Sequence, residues 1–117
     1  MKEENFKVIN FVRKLIIAID AEFTNFPKKD IELKNRIRSN SYDILELCYE
    51  ANTIENIEYK KRLLNKVIAK IKIIDFLLNL SYDKMIINNK KYTKLGSQID
   101  DIIKYTTGWI KSIDNRA

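Results

Sequence analysis

The stretch from Tyr59 to Leu80, YKKRLLNKVIAKIKIIDFLLNL, decides the fold of this chain. Within it, apolar residues recur at alternating spacings of three and four, which aligns them along one side of an α-helix. These residues are Leu64, Val67, Ile71, Ile74 and Leu78. We therefore predict a long third helix whose apolar seam packs inside a helical bundle.

The first part of the same stretch carries the densest positive charge in the sequence. It holds six cations with no acid between them: Lys60, Lys61, Arg62, Lys66, Lys70 and Lys72. Their combined charge equals the formal net charge of the whole protein, +6. Arg62, Lys66 and Lys70 follow one another at four-residue steps, and such a row suits the phosphates of a nucleic acid. We predict a nucleic-acid-binding surface here; a solvated face with no partner is the alternative.

Two arginines of the second helix, Arg36 and Arg38, are added to this predicted surface. The chain is rich in Ile, Lys and Asn, the residues that AT-rich codons favour, so part of its lysine content follows from genome composition. Such codons do not favour arginine, and each arginine is therefore a stronger indication of an anionic partner than a lysine. A basic amphipathic helix could also lie on an anionic membrane, but the bundle already uses its apolar seam.

The second part of the stretch has more apolar residues than one buried seam requires. Four of them lie outside the seam: Ile73, Phe76, Leu77 and Leu80. An apolar circumference this broad indicates burial on more than one side of the helix. The first helix also has two adjacent apolar stripes, and one of them includes Phe11 and Leu15. We predict that these residues form an interface between copies of the chain.

Elsewhere the sequence predicts three further helices and no strands. One proline and two glycines interrupt the chain, and no segment alternates as a β-hairpin does. The predicted helices span about 5–23, 28–51, 57–82 and 90–114, with a tight corner at Phe26-Pro27. Short connections make consecutive helices antiparallel neighbours. We predict one all-α domain over 1–117, an up-down-up-down antiparallel four-helix bundle.

The seams of helices 2 and 4 follow from the same spacing. The seam of helix 2 comprises Ile37, Ser41, Ile44, Cys48 and Ala51. The seam of helix 4 comprises Tyr92, Leu95, Ile99, Ile102, Thr106, Trp109 and Ile113. Tyr92 and Trp109 are therefore expected in the core rather than on a stacking surface. Gly96 and Gly108 lie inside helix 4, where each costs about 0.5 to 1 kcal/mol relative to alanine. They indicate either close backbone packing or glycines that the helix simply tolerates.

Length and composition exclude several classes of protein. A chain of 117 residues can bury one core without disulfides or metals, and the single cysteine, Cys48, forms no intramolecular disulfide. No signal-peptide pattern opens the sequence, and no apolar run approaches the roughly 20 residues of a membrane span. We expect a cytoplasmic protein with no membrane partner.

The sequence offers little for catalysis. It has no histidine and no glycine-rich phosphate loop. Asp43, Glu46 and Glu50 line one side of helix 2, where they could form a catalytic carboxylate pair or, as is commoner on bundles, pair with nearby cations. Cys48 lies on the seam and is expected to be a small core residue rather than a nucleophile. We expect no enzyme, no catalytic residue, no metal and no cofactor.

Several runs of residues resemble one protein family. They are Phe26-Pro27-Lys28, the run from Ile37 through Asp43-Ile44-Leu45-Glu46-Leu47 to Ala51-Asn52, Phe76-Leu77-Leu78 in the basic third helix, and Gly108-Trp109-Ile110-Lys111-Ser112. Together they cover nearly the whole chain and resemble the Avd-like four-helix-bundle proteins, accessory proteins of diversity-generating retroelements. The chain departs from that family at Leu33-Lys34, where a leucine-glycine pair is expected. A more distant resemblance is to bundle proteins encoded in intervening sequences of bacterial large-subunit ribosomal RNA genes.

The resemblance implies a function that composition and spacing do not. It implies a homopentamer with a basic surface, which binds RNA and/or DNA and the reverse transcriptase of the element. In that role the protein supports mutagenic copying of a template RNA into complementary DNA. The ribosomal-intervening branch implies the alternative, an oligomeric protein-interaction scaffold with no specific nucleic-acid role.

Overall fold

The computed structural model describes residues 3–115, which form four α-helices and contain no strand. The helices are α1 (Glu3–Glu22), α2 (Ile31–Thr53), α3 (Ile57–Asp83) and α4 (Asn89–Asp114). Every predicted helix end lies within three residues of the observed one. The predicted all-α class and the four helices are therefore confirmed.

The helices form a closed ring of antiparallel neighbours. Helix α1 packs against α2, α2 against α3, α3 against α4, and α4 against α1. Antiparallel packing of α1 and α2 is visible at both ends of the pair: Asn5 donates a hydrogen bond to Asn52, and Arg38 donates one to Asp20. The described residues form a bundle measuring 47 × 23 × 19 Å. This is the predicted up-down-up-down arrangement.

The core lies along the predicted seams. All five seam residues of α3 and those of α2 are buried, including Ser41, and on α4 the seam is buried from Leu95 to Ile113. Trp109 is one of the largest fully buried side chains, as expected for a core residue. Tyr92 is half-buried, and its ring stacks on Tyr82 with 4.6 Å between the ring centroids.

Short polar side chains and a proline mark where the helices begin. The side chains of Asn56 and Asn88 accept hydrogen bonds from the backbone N–H groups of Tyr59 and Lys91, and so cap α3 and α4. Helix 2 was predicted from residue 28, but α-helical geometry begins only at Ile31. The first turn after Pro27 is a 3₁₀ turn, Lys28–Asp30, because the Asp30 N–H bonds to the Pro27 carbonyl.

The two glycines of α4 do not mark close packing. A Cβ atom built on Gly96 or on Gly108 would meet no other heavy atom within 4 Å, setting aside adjacent residues and the helix's own backbone. Within the described chain they are glycines that the helix tolerates, the second of the two predicted alternatives. No helix within residues 3–115 is both long and apolar enough to cross a membrane.

Candidate nucleic-acid interface

The six cations at the start of α3 do not share one face. Successive residues of an α-helix are rotated by about 100°, so cations close in sequence point in different directions. Lys61 points towards α4, where its ammonium group lies 2.6 Å from the Asp114 carboxylate. Lys72 comes about three turns later on the same side of the helix. Lys60 is half-buried and points away from the side that carries Lys61 and Lys72.

Three of the cations form the row that the sequence predicts, here named the α3 row: Arg62, Lys66 and Lys70. Arg62 and Lys66 are exposed, and Lys70 is half-buried. The Lys70 ammonium group donates a hydrogen bond of 3.3 Å to the Asp43 carboxylate of α2. The row therefore begins at Arg62, which faces solvent, and ends at Lys70, whose charge Asp43 already neutralises in part.

The other two acids on that side of α2 lie beside the same part of α3. Glu50 accepts a hydrogen bond of 3.0 Å from the Tyr59 hydroxyl, and this contact and the carboxylate charge raise the pKa of Tyr59. Glu46 is exposed one turn away on α2. Two of the three acids considered for catalysis are thus engaged by side chains of α3. The described residues contain no group of three His, Cys, Asp or Glu residues able to hold a metal ion.

Arg36 and Arg38 lie on different sides of α2, and Arg38 does not join the α3 row. The Arg38 guanidinium lies between α1 and α2, where it donates hydrogen bonds of 3.2 Å to Tyr42 and to Asp20. Its contacts with Tyr42 and then the charge of Asp20 raise the pKa of Arg38. Arg36 is exposed near the start of α2, seven residues before Asp43 and therefore on the side of α2 from which Asp43 contacts Lys70. The predicted cations are therefore dispersed over several sides of the bundle.

The predicted interface residues divide into two groups. Three residues on the outer side of α3 form what we name the apolar stripe: Ile73, Phe76 and Leu80. Ile73 and Phe76 are 50% and 63% exposed, and Leu80 is half-buried. Leu77 is half-buried and packs against the core. The stripe follows the α3 row along one helix, so a basic segment leads directly into an apolar one.

Leu15 does not lie on the predicted interface, whereas Phe11 is only partly covered within the chain and stays a predicted interface residue. Leu15 is fully buried in the core of the single chain, so it offers no surface to a second copy. The second apolar stripe of α1 is needed inside the bundle, because α1 packs against both α2 and α4. Phe11 is half-buried, and its ring lies 5.2 Å from that of Tyr105 on α4.

A second basic surface surrounds this aromatic pair and was not predicted. We name it the aromatic–lysine cluster: Lys7, Phe11 and Lys14 on α1, with Lys104 and Tyr105 on α4. The Lys7 and Lys104 ammonium groups lie 5.3 and 5.5 Å from the centre of the Tyr105 ring, and that of Lys14 lies 5.9 Å from the centre of the Phe11 ring. These lysines are scattered in the sequence, and only the packing of α1 against α4 brings them together.

Cys48 is unsuited to chemistry. Its side chain is fully buried on the α2 seam, and burial raises the pKa of its thiol to about 12. The thiolate is the nucleophilic form of cysteine, and almost none is present near neutral pH. The expected structural role is confirmed.

No family model matches this chain, and comparison with curated proteins found no match either. The geometry of the α3 row, the apolar stripe and the aromatic–lysine cluster therefore carries the functional argument.

Proposed function

We propose that this protein is a non-enzymatic accessory protein that binds nucleic acid as an oligomer and works beside the reverse transcriptase of a diversity-generating retroelement. The observation that supports this best is the outer side of α3. There, exposed Arg62 and Lys66 are followed by exposed Ile73 and Phe76. One surface thus combines cations for a polyanion with apolar area for a second copy.

The α3 row is suited to contacts with phosphates. Arg62 and Lys66 reach solvent from the first half of α3, and they project in nearly the same direction one turn apart. Such contacts bind the nucleic-acid backbone and do not read its sequence. The proposed partner is therefore RNA or DNA bound with little sequence preference.

The apolar stripe supports assembly. Large exposed apolar side chains that recur on one helix side are typical of surfaces that meet a partner. In a closed ring, each copy would add one α3 row, so that several weak sets of phosphate contacts act together. The homopentamer implied by the family resemblance is the assembly that we propose, in the cytoplasm, with the reverse transcriptase as protein partner.

The test is a salt titration of RNA binding by the variant R62A/K66A/K70A. A labelled structured RNA is titrated at several salt concentrations, and the slope of log affinity against log salt concentration is measured. Each lost phosphate contact reduces that slope by roughly 0.7 to 0.9, so we expect a decrease of about 2 and weaker binding. The control K28A/K29A/K90A removes the same charge from exposed sites elsewhere. Equal slopes for the two variants would remove the α3 row from the site.

A protein-interaction scaffold is the second candidate. Two observations favour it: Lys61 and Lys70 already have acidic partners, and the apolar stripe is exposed whether or not nucleic acid binds. An oligomer that binds no RNA at low salt would support the scaffold. A neighbouring gene for a reverse transcriptase, with paired template and variable repeats, would support the accessory protein.

A further inference from the structure

We propose that the aromatic–lysine cluster is a second nucleic-acid site, which binds single strands by stacking an unpaired base on the Phe11–Tyr105 pair. This inference rests on the proposed function, because both require nucleic-acid binding. It specifies a class of ligand, single-stranded nucleic acid, and places its binding site on the α1–α4 side of the bundle rather than on α3.

The aromatic pair has the geometry of a stacking platform. The two ring centroids lie 5.2 Å apart and the ring planes are inclined by 31°, so the rings overlap in an offset stack and a base would stack on the outer face of one ring. Both rings are half-buried, which fixes their orientation while part of each remains accessible. Aromatic side chains held in this way stack on any base, because every base has a π face.

The lysines are placed for the backbone of the same strand. Lys14 and Lys104 are exposed, and their ammonium groups are held by attraction to the ring faces at 5.9 and 5.5 Å. An incoming base can take the place of an ammonium group on a ring, and the released lysine can then bind a phosphate. The exchange keeps every cation paired with a π face or with a phosphate.

The neighbouring charges leave this surface cationic. Lys91 and Lys94 lie about three to four turns before Lys104 on α4, and both bind Glu22 of α1, which shares its charge between them. Two further acids lie on α4: Asp101 is half-buried one turn before Tyr105, and Asp100 is exposed one turn before Lys104. Lys14, Lys91, Lys94 and Lys104 thus outnumber Glu22, Asp100 and Asp101 among the described side chains of this part of the surface.

The geometry distinguishes single strands from duplexes. In a duplex the bases are paired and stacked on each other, so no base face is available to Phe11 or Tyr105. A duplex could contact only the lysines through its phosphates. Loss of the rings should therefore affect single strands alone, whereas loss of the lysines should affect both.

The experiment compares Tyr105→Leu with wild-type protein. A labelled 20-nucleotide oligo(dT) and a labelled duplex of equal length are titrated by fluorescence anisotropy. Leucine retains apolar contact with α1 but has no π face, so we expect the affinity for oligo(dT) to decrease by about tenfold and that for the duplex to stay within about twofold. Tyr105→Phe keeps the ring and should bind oligo(dT) as wild type does.

Tyr92→Leu is the matched control, since Tyr92 is a half-buried, stacked tyrosine on the opposite, α3 side of the same helix. It should leave both affinities unchanged. Wild-type affinity of Tyr105→Leu for oligo(dT), or an equal decrease for both probes, would overturn the inference. If wild-type protein bound neither these probes nor the structured RNA of the salt titration, the proposed function would be disproved as well; if it bound both probes and Tyr105→Leu changed neither affinity, only the second site would be lost.

Discussion

The outer sides of α3 and α4 differ although the two helices are neighbours of similar length. On α4 every exposed residue is polar, and the apolar residues are buried or half-buried. On α3 the seam is as well buried, yet Ile73 and Phe76 are left exposed beside Arg62 and Lys66. The difference between the helices lies in large apolar side chains that one chain leaves exposed, which α3 has and α4 does not. The outer side of α3 carries residues that the folding of one chain does not use.

The largest expected effect is on assembly. In the variant I73E/F76E, charged groups replace the exposed apolar surface of α3, and we expect dissociation into monomers. Each such change at the centre of an apolar interface should weaken association by at least about 30-fold, the factor equivalent to about 2 kcal/mol. Light scattering after size-exclusion chromatography measures the mass, and circular dichroism verifies that the helices persist.

The matched control places the same charges on the polar outer side of α4, in T93E/S97E, where both positions are exposed. This variant should keep the mass of the wild-type assembly. An unchanged mass for I73E/F76E would remove the apolar stripe from the interface and would make the contrast between α3 and α4 irrelevant to assembly.

The next largest effect concerns the stability of α4. Because a methyl group at Gly96 or Gly108 meets open space, G96A and G108A should each raise the free energy of unfolding by about 0.5 to 1 kcal/mol. The sites are twelve residues apart, so their effects should add. Urea titration followed by circular dichroism measures the change. A lower free energy of unfolding for G96A or G108A would indicate that a second copy packs against the backbone of α4. The outer sides of α3 and α4 would then no longer differ in their contacts with a partner.

The smallest expected effect is on RNA affinity, and it tests how much Asp43 of α2 reduces the positive charge of the α3 row. D43N removes the acid that accepts the hydrogen bond of Lys70. An exposed pair of this kind is worth about 0.2 to 1 kcal/mol, so RNA affinity should rise by no more than about fivefold. D75N changes the net charge equally at an exposed site on another side of α3. An equal rise in both variants would show that net charge alone, rather than Lys70, determines binding.

The fold was predictable because its signals are local. The three-four spacing identified the seams, and Pro27 marked the corner between the first two helices within a few residues. Leu15 shows where this reasoning stops. Two apolar stripes on α1 indicated two buried faces, but the sequence does not distinguish a second helix of the same chain from a second chain.

The candidate site was less predictable because it depends on neighbours. Lys61 and Lys70 are close in sequence, yet helix rotation directs them to acids on different helices. Conversely, Lys14 and Lys104 are ninety residues apart and meet at one aromatic pair. Counting charges along the chain finds Lys61 and Lys70 as neighbours in sequence. It does not show that Lys14 and Lys104 lie close together in the fold.

The burial of Cys48 has a practical consequence for the chemistry of labelling. A thiol with no exposed surface and a pKa of about 12 reacts with maleimides only when the bundle opens. A single cysteine introduced at an exposed position can therefore be modified selectively without first removing the native one. The slow reaction of Cys48 itself would then serve as an internal clock, because its rate reports how often the core of the bundle becomes accessible to solvent.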